Sequence, residues 1–356
     1  VNVDGVAGSA SVDGGVNGTD TFLSVGNALF HQNGLDIVGT DHADTFNYTI
    51  GADQWISAQG RLGNDTFNFT LEGGHIRLNM QSASAGATVN LATGQILDDG
   101  FGNTDTISVT GSGTFELRST DHDDNITGSA RDERFILRRG NDTLDGGAGT
   151  DMVRYDRSQV EAVSVNLSSG LASGVWRGDA FTHHLSNIED VRGSRNDGDI
   201  LTGNAQANKL DGRGGDDYLI GAMGDDTLIG GSGSDTVSFD DTFANVLVGV
   251  TDDGLNIGTT DGNDFVANDV EFFQFTDQTI SFEDLRLIVL PKQDVQLWAG
   301  DYFNSDYAID NSREGGGKQF LNVGPASQGP DQGNKFHFTT EVDDNGGRAF
   351  FGGNGF

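Results

Sequence analysis

The apolar residues in the middle of the chain recur every ninth position rather than at a helical spacing. Residues 194–238 divide into five consecutive nines: SRNDGDILT, GNAQANKLD, GRGGDDYLI, GAMGDDTLI and GGSGSDTVS. Position eight is Leu201, Leu210, Leu219, Leu228 and Val237, and position six is Asp199, Asn208, Asp217, Asp226 and Asp235. Residues 119–154 hold four more nines, with Asp124, Glu133, Asp142 and Asp151 at position six and Ile126, Phe135, Leu144 and Val153 at position eight. A short strand sends alternate side chains to opposite faces. Each nine therefore predicts a turn of six residues and a strand of three whose position-eight side chain faces a core. Glycine in the turn reaches positive φ without steric cost and lets backbone carbonyls crowd inward.

Looser copies extend the pattern upstream: GVNGTDTFL (15–23), GTDHADTFN (39–47), YTIGADQWI (48–56), GRLGNDTFN (60–68) and GFGNTDTIS (100–108). A late copy is TTDGNDFVA (259–267). Between the blocks, AGATVNLATG (85–94) resembles AVSVNLSSG (162–170), and NIEDVRGS (187–194) resembles GLDIVGTD (34–41). These alternate and then meet glycine, which reads as strand; they are expected to form wider coils of one stack. In 270–285, Phe272, Phe273, Phe275 and Phe282 are expected to close the core, as a solenoid end requires. All three prolines and three of the four lysines lie beyond residue 290, with clustered aromatics. A boundary is placed near Leu290.

Composition alters the picture in one respect. The 356 residues carry 54 acidic and 20 basic side chains, a formal charge of −34. Phosphate binding needs a basic footprint, so a generic nucleic-acid binder is excluded. With no cysteine, a disulfide scaffold and a thiolate zinc site are excluded too. No run is long enough to span a bilayer. The first residues, VNVDGVAGSASVDGG, include no initiator Met and no signal peptide, so the chain is expected to be a piece of a longer protein. The carboxylates are either solvated charge or cation ligands, and their spacing favours ligands. Stacked carboxylates about 5 Å apart repel one another. One aliphatic residue per nine buries too little to offset that repulsion and the chain entropy.

The nines resemble the calcium-binding repeat G-G-x-G-x-D-x-U-x of the RTX (repeats-in-toxin, haemolysin-type) family. The match is close at 146–154 and 212–238 and looser over roughly 15–285. The resemblance implies an all-β fold, a right-handed parallel β-roll or β-helix solenoid with calcium in the turns. It also implies that turn n lies below turn n+2, so that position-six side chains share gaps: Asp124 with Asp142, Asp199 with Asp217, Asp217 with Asp235, Asn208 with Asp226, and Glu133 with Asp151. Asp44, Asp65 and Asp105 are the matching positions upstream, and Gly146, Gly212, Gly221 and Gly230 would offer backbone oxygens. Asn208 lowers site charge and Glu133 is one methylene too long. Ser194, Leu137 and Arg138 stand where turn glycines are expected. Ca²⁺ takes six to eight hard oxygen ligands, whereas Mg²⁺ demands tight octahedral geometry. Several Ca²⁺ ions are thus the implied cofactors.

The resulting map is a degenerate RTX-like solenoid over 1–118, calcium blocks at 119–154 and 194–238, connector coils at 155–193, capping strands at 239–290 and a distinct aromatic tail at 291–356. No HExxH helix, GxSxG elbow or cysteine nucleophile is present, and no catalytic centre is expected. His183 and His184 are expected at the surface, His42 and His122 at turn edges, and Trp55, Trp176 and Trp298 as partial core. The resemblance implies an extracellular or cell-surface protein that folds on Ca²⁺ after type I secretion. It would act as a calcium-rigidified structural, adhesive or surface-layer segment, docking to itself or to a surface partner through 291–356. The alternative is the secretion and folding module of a larger secreted enzyme.

Overall fold

The computed structural model describes residues 35–289 continuously and, outside them, only short strand segments. The chain divides into two compact units, Val1–Val289 and Leu290–Phe356. The aromatic tail beyond 290, Trp298 within it and the copy at 15–23 lie outside the residues described in detail.

The fold is nearly all strand. Three-residue strands such as Asn125–Thr127, Thr143–Asp145, Tyr218–Ile220 and Thr236–Ser238 alternate with turns and pair in parallel. Asn125 lies opposite Thr143, Ile200 opposite Tyr218, Tyr218 opposite Thr236, and Lys209 opposite Thr227, each an offset of eighteen residues. Two nines make one coil, and consecutive nines contribute to opposite faces. The first face stacks Val89, Ile126, Leu144 and Leu185, then Val165, Leu201, Leu219, Val237 and Phe273. The second stacks Leu78, Leu117, Phe135, Val153, Val191, Leu210, Leu228 and Val266. Both rows are buried and form one continuous core.

Ahead of residue 119 the coil changes. Strands Thr66–Asn79 and Asp105–Arg118 run fourteen residues and contribute to both faces without an intervening turn of six. Gly73, Gly111 and Gly113 take positive φ in them, and the pairing register shifts between Ser112 and Thr114. Phe46, Phe67, Phe69 and Phe115 fill this wider part of the core. The copy at 48–56 is not a nonapeptide: Asp44–Gly51 is one strand, Asp53 is exposed, and Ile56 rather than Trp55 is fully buried.

The connectors correct the expectation of wider parallel coils. Val160–Asn166, Leu171–Trp176 and Asp179–Ser186 form an antiparallel meander laid into the first face. Its outer strands stack in parallel on Thr143–Asp145 and Ile200–Thr202. The segment from Thr88 to Thr106 does the same. The similarity of 85–94 to 162–170 reflects this, since each supplies a first meander strand and a left-handed glycine. Gly94 O accepts the N–H of Ile107, and Gly170 O that of Leu185, at 3.0 and 2.8 Å. A third meander, Leu247–Ala267, sits at the end of the second face.

Two further expectations fail locally. Phe272 is 39% exposed, because strand alternation turns Phe273 inward instead. Within 35–289 the last element is a helix, Phe282–Val289, rather than a strand. Ser281 caps it, its Oγ accepting the N–H of Asp284 at 3.2 Å. Because Leu219 is fully buried in the core shared by the two rows, Leu219→Ala should cost about 2–5 kcal/mol, measured by denaturant unfolding in calcium.

Candidate metal centre in the stacked turns

Each position-six Asp or Glu has two carboxylate oxygens, and in most turns the stack uses one of them. It accepts the backbone N–H of position six one coil earlier. Asp142 takes Asp124, Asp217 takes Asp199 and Asp235 takes Asp217, at 3.0, 2.7 and 2.9 Å. On the opposite edge Asp151 takes Glu133 and Asp226 takes Asn208, both at 2.8 Å. Upstream, Asp65 takes Asp44 and Asp105 takes Asp65. All five expected pairs are adjacent in the stack. The rows also recruit two acidic residues outside the nines, Glu189 and Glu271, together with Asp264, the sixth position of the late copy at 259–267. Glu189 accepts from Asp151, Glu271 from Asp235 and Asp264 from Asp226. The available signal was an acidic residue just before a strand, as in N-I-E-D-V, V-E-F-F and G-N-D-F-V.

The second oxygen sorts the turns into two kinds. In 39–44, 119–124, 128–133 and 193–199, the second turn residue is Thr40, Thr120, Ser129 or Ser194. Its backbone N–H donates to the carboxylate of Asp44, Asp124, Glu133 or Asp199 at 2.5–2.9 Å. Its hydroxyl accepts a further backbone N–H from within the turn. Asn204 treats Asn208 likewise. These turns close on themselves.

The other kind reads Gly-x-x-Gly-x-Asp: 60–65, 146–151, 212–217, 221–226 and 230–235. Arg61, Gly147, Arg213, Ala222 and Gly231 take positive φ at position two, and Gly63, Gly149, Gly215, Gly224 and Gly233 at position four. The second oxygens of Asp65, Asp151, Asp217, Asp226 and Asp235 are buried and accept no hydrogen bond. Position one must be glycine because that oxygen lies against its Cα. A methyl group at Gly212 would meet Asp217 Oδ2 at 2.2 Å and Gly230 O at 2.8 Å. One at Gly193 would meet Asp199 Oδ2 and Gly212 O, one at Gly203 would meet Asn208 Oδ1 and Gly221 O, and one at Gly128 would meet Glu133 Oε2 and Gly146 O. Carboxylate oxygen and next-coil carbonyl therefore converge at the same place, and they involve Gly146, Gly212, Gly221 and Gly230. Gly193 corrects the reading of Ser194: the turn is one residue longer, and the glycine sits just ahead of it.

Asp142 stands apart. Leu137 fills its position one, fully buried, and Arg138 pairs with Asp121 at 2.6 Å. Its unpartnered Oδ2 lies 3.4 Å from Nε2 of His183. That histidine is buried, not exposed, because strand alternation turns Phe181, His183 and Leu185 inward and leaves His184 out. Nδ1 of His183 meets the Tyr155 hydroxyl at 3.1 Å, and Nε2 lies 3.2 Å from Arg138 O. Burial holds its pKa down to about 3, so the ring is neutral. It occupies the row position where the next carboxylate would fall. His42 and His122 do lie at turn edges, where Gly63 and Gly140 pack on their backbones.

Burial, with like charges adding to it in most turns, pushes these carboxyls up. Asp65 and Asp217 rise to about 7, Asp151 and Asp105 to about 8, and Asp226 and Asp235 to about 6. Among the described residues no three His, Asp or Glu side chains form a metal cage. A cation held here would draw on backbone oxygens as well. Desolvated, unpartnered, convergent hard oxygens suit Ca²⁺.

A family model for the RTX calcium-binding nonapeptide repeat matches the chain in four copies, at 119–156, 195–228, 202–237 and 223–241. These segments are similar to the RTX nonapeptide repeat, which binds calcium, and the rest of the chain lies outside the match. No curated protein matches the chain.

The pKa directions set a pH dependence. A carboxyl whose folded pKa is raised stabilises the metal-free fold below its ordinary range near 4 and withdraws that stability as pH climbs through 6–8. In chelator, circular dichroism should show more β structure at pH 5 than at pH 8. The calcium midpoint should move to lower concentration over the same rise, because protons and calcium compete for the same oxygens.

Proposed function

We propose that the chain is an extracellular calcium-folded RTX region, a rigid structural or adhesive segment that leaves the cell by type I secretion and sets only where calcium is abundant. The observation that carries this reading is the row of buried, unpartnered carboxylate oxygens in the Gly-x-x-Gly-x-Asp turns. Without a cation each is a desolvation penalty repeated at every open turn; with one, those turns become coordinated. In this reading Asp65, Asp151, Asp217, Asp226 and Asp235 are the principal ligands. Gly146, Gly212, Gly221 and Gly230 supply carbonyls, and Asp199, Asn208, Glu133, Asp124, Asp44 and Asp105 complete neighbouring turns. The matched family is a structural calcium-binding repeat rather than a catalytic one, and no described helix is long and apolar enough to cross a membrane.

Folding in chelator should be largely lost near neutral pH and restored by millimolar Ca²⁺, read by circular dichroism. A chain equally folded in both would overturn the proposal. Asp226→Asn should lower calcium affinity about tenfold, ~1.4 kcal/mol, by calorimetry, whereas Asp124→Asn should change it little because that turn closes on itself. Asp217, stacked between Asp199 and Asp235, should cost more when replaced by Ala than either neighbour; equal losses would refute the shared-gap arrangement.

A further inference from the structure

The outward side of the second face carries an arginine cluster in a chain whose net charge is −34. Flanking the buried row of Leu78, Leu117, Phe135 and Val153, one outer row holds Arg77, Glu116 and Arg134, and the other holds Arg118, the buried Ile136, Arg154 and Arg192. Arg157 joins them from the segment that follows. The nearby carboxylates are already committed. Glu116, fully buried, accepts from Nε of Arg77 at 2.5 Å and from the guanidinium of Arg154. Asp156 accepts from Arg154 at 2.8 Å and Arg157 at 3.3 Å, with Arg192 at 3.9 Å. Arg118 is left with an amide: its Nη1 meets Gln81 Oε1 at 3.0 Å, and its Nε is buried without a partner. The Nε of Arg157 is in the same state. Arg134 feels Glu116 and Asp190 but also Arg154 and Arg192.

We propose that the surface around Arg118, Arg134 and Arg157 binds a multivalent oxyanion of the sulfate or phosphate type, free or carried on a polymer. Guanidinium groups present planar forks that match tetrahedral and carboxylate oxygens, and they hold such ions better than ammonium groups do. Six guanidinium groups here share few carboxylates, chiefly Glu116 and Asp156, so the cluster is short of counter-charge. Burial first, then Arg77, Arg157 and Arg138, bring Arg118 down to about 9. An oxyanion would add the missing counter-charge beside the half-buried Arg118, Arg134 and Arg157. The rest of the chain is strongly acidic and repels a uniformly charged polymer such as nucleic acid, so a ligand with localised charge fits best. These arginines lie on strands or just after one, outside the Gly-x-x-Gly-x-Asp turns, so the site does not depend on the calcium reading.

The test titrates sulfate, and separately a sulfated polysaccharide, into the full chain in calcium at constant ionic strength against chloride. Saturable binding is expected. Arg118→Gln with Arg134→Gln should weaken it at least about tenfold, while Arg177→Gln, on an exposed hairpin, should not. Arg118→Lys should restore part of the loss. Circular dichroism reports whether each variant folds, and Arg134→Gln alone carries the comparison if the pair does not. Binding of the polysaccharide without inorganic sulfate assigns the anion to a polymer; binding of both assigns it to the ion itself. Absence of saturable binding in both arms, or equal binding by the double variant, overturns the proposal.

Discussion

The bond on which the rest depends is the one from a position-six carboxylate to the backbone N–H of position six in the coil before it. It is short, and it recurs along both edges. A charge-assisted bond of this kind is stronger than a neutral one. It locks the turn of one coil over the turn of the next and so pins the register of the strands that follow. Because it uses only one oxygen, it leaves the other to be settled by the turn itself. The divergence between self-closing and open turns follows from that single remaining atom.

That atom makes folding and cation binding one problem. A self-closing turn spends its second-residue N–H on the carboxylate and has little left to offer a metal. An open turn reverses its second residue into positive φ, loses that donor and buries the oxygen. Serine, threonine and asparagine at position two favour the first outcome through their own side-chain bond to the backbone. Glycine at position four permits the second, since it packs directly on the backbone of the coil before, as Gly215 does on Asp197. Cation demand is therefore unequal along the stack, and it concentrates in 212–235, where three open turns follow one another.

The first two antiparallel meanders interrupt the first-face row and give the stack segments. Where the first one enters, the row passes to Ala87 and then Asp124; where the second enters, it ends at His183 and restarts at Val163 beneath Asp199. His183 fills a carboxylate position with a neutral ring held by Tyr155, so the run beginning at Asp124 closes without a further acidic ligand. The arginine-rich outer rows lie on the opposite face, where the sheet continues without a break from residue 77 to 192.

Much of this was legible in the residues themselves. Period nine, the acidic sixth position and the apolar eighth determined the strands, the eighteen-residue register and the core row, because each nine repeats the same local chemistry. The kinship of 85–94 with 162–170 was visible too, though not that both begin a meander: alternation marks a strand without saying which partner it takes. Position six alone could not tell Asp124 from Asp217, since the difference lies in which N–H the second oxygen meets. Nor could it find Glu189 and Glu271, which enter the rows from segments that lack the glycine turn. His183 looked like one of a polar pair, and only the inward phase of its strand buried it. Local pattern determined the ladder; contacts between coils, distant in sequence and set by packing, decided which rungs are open.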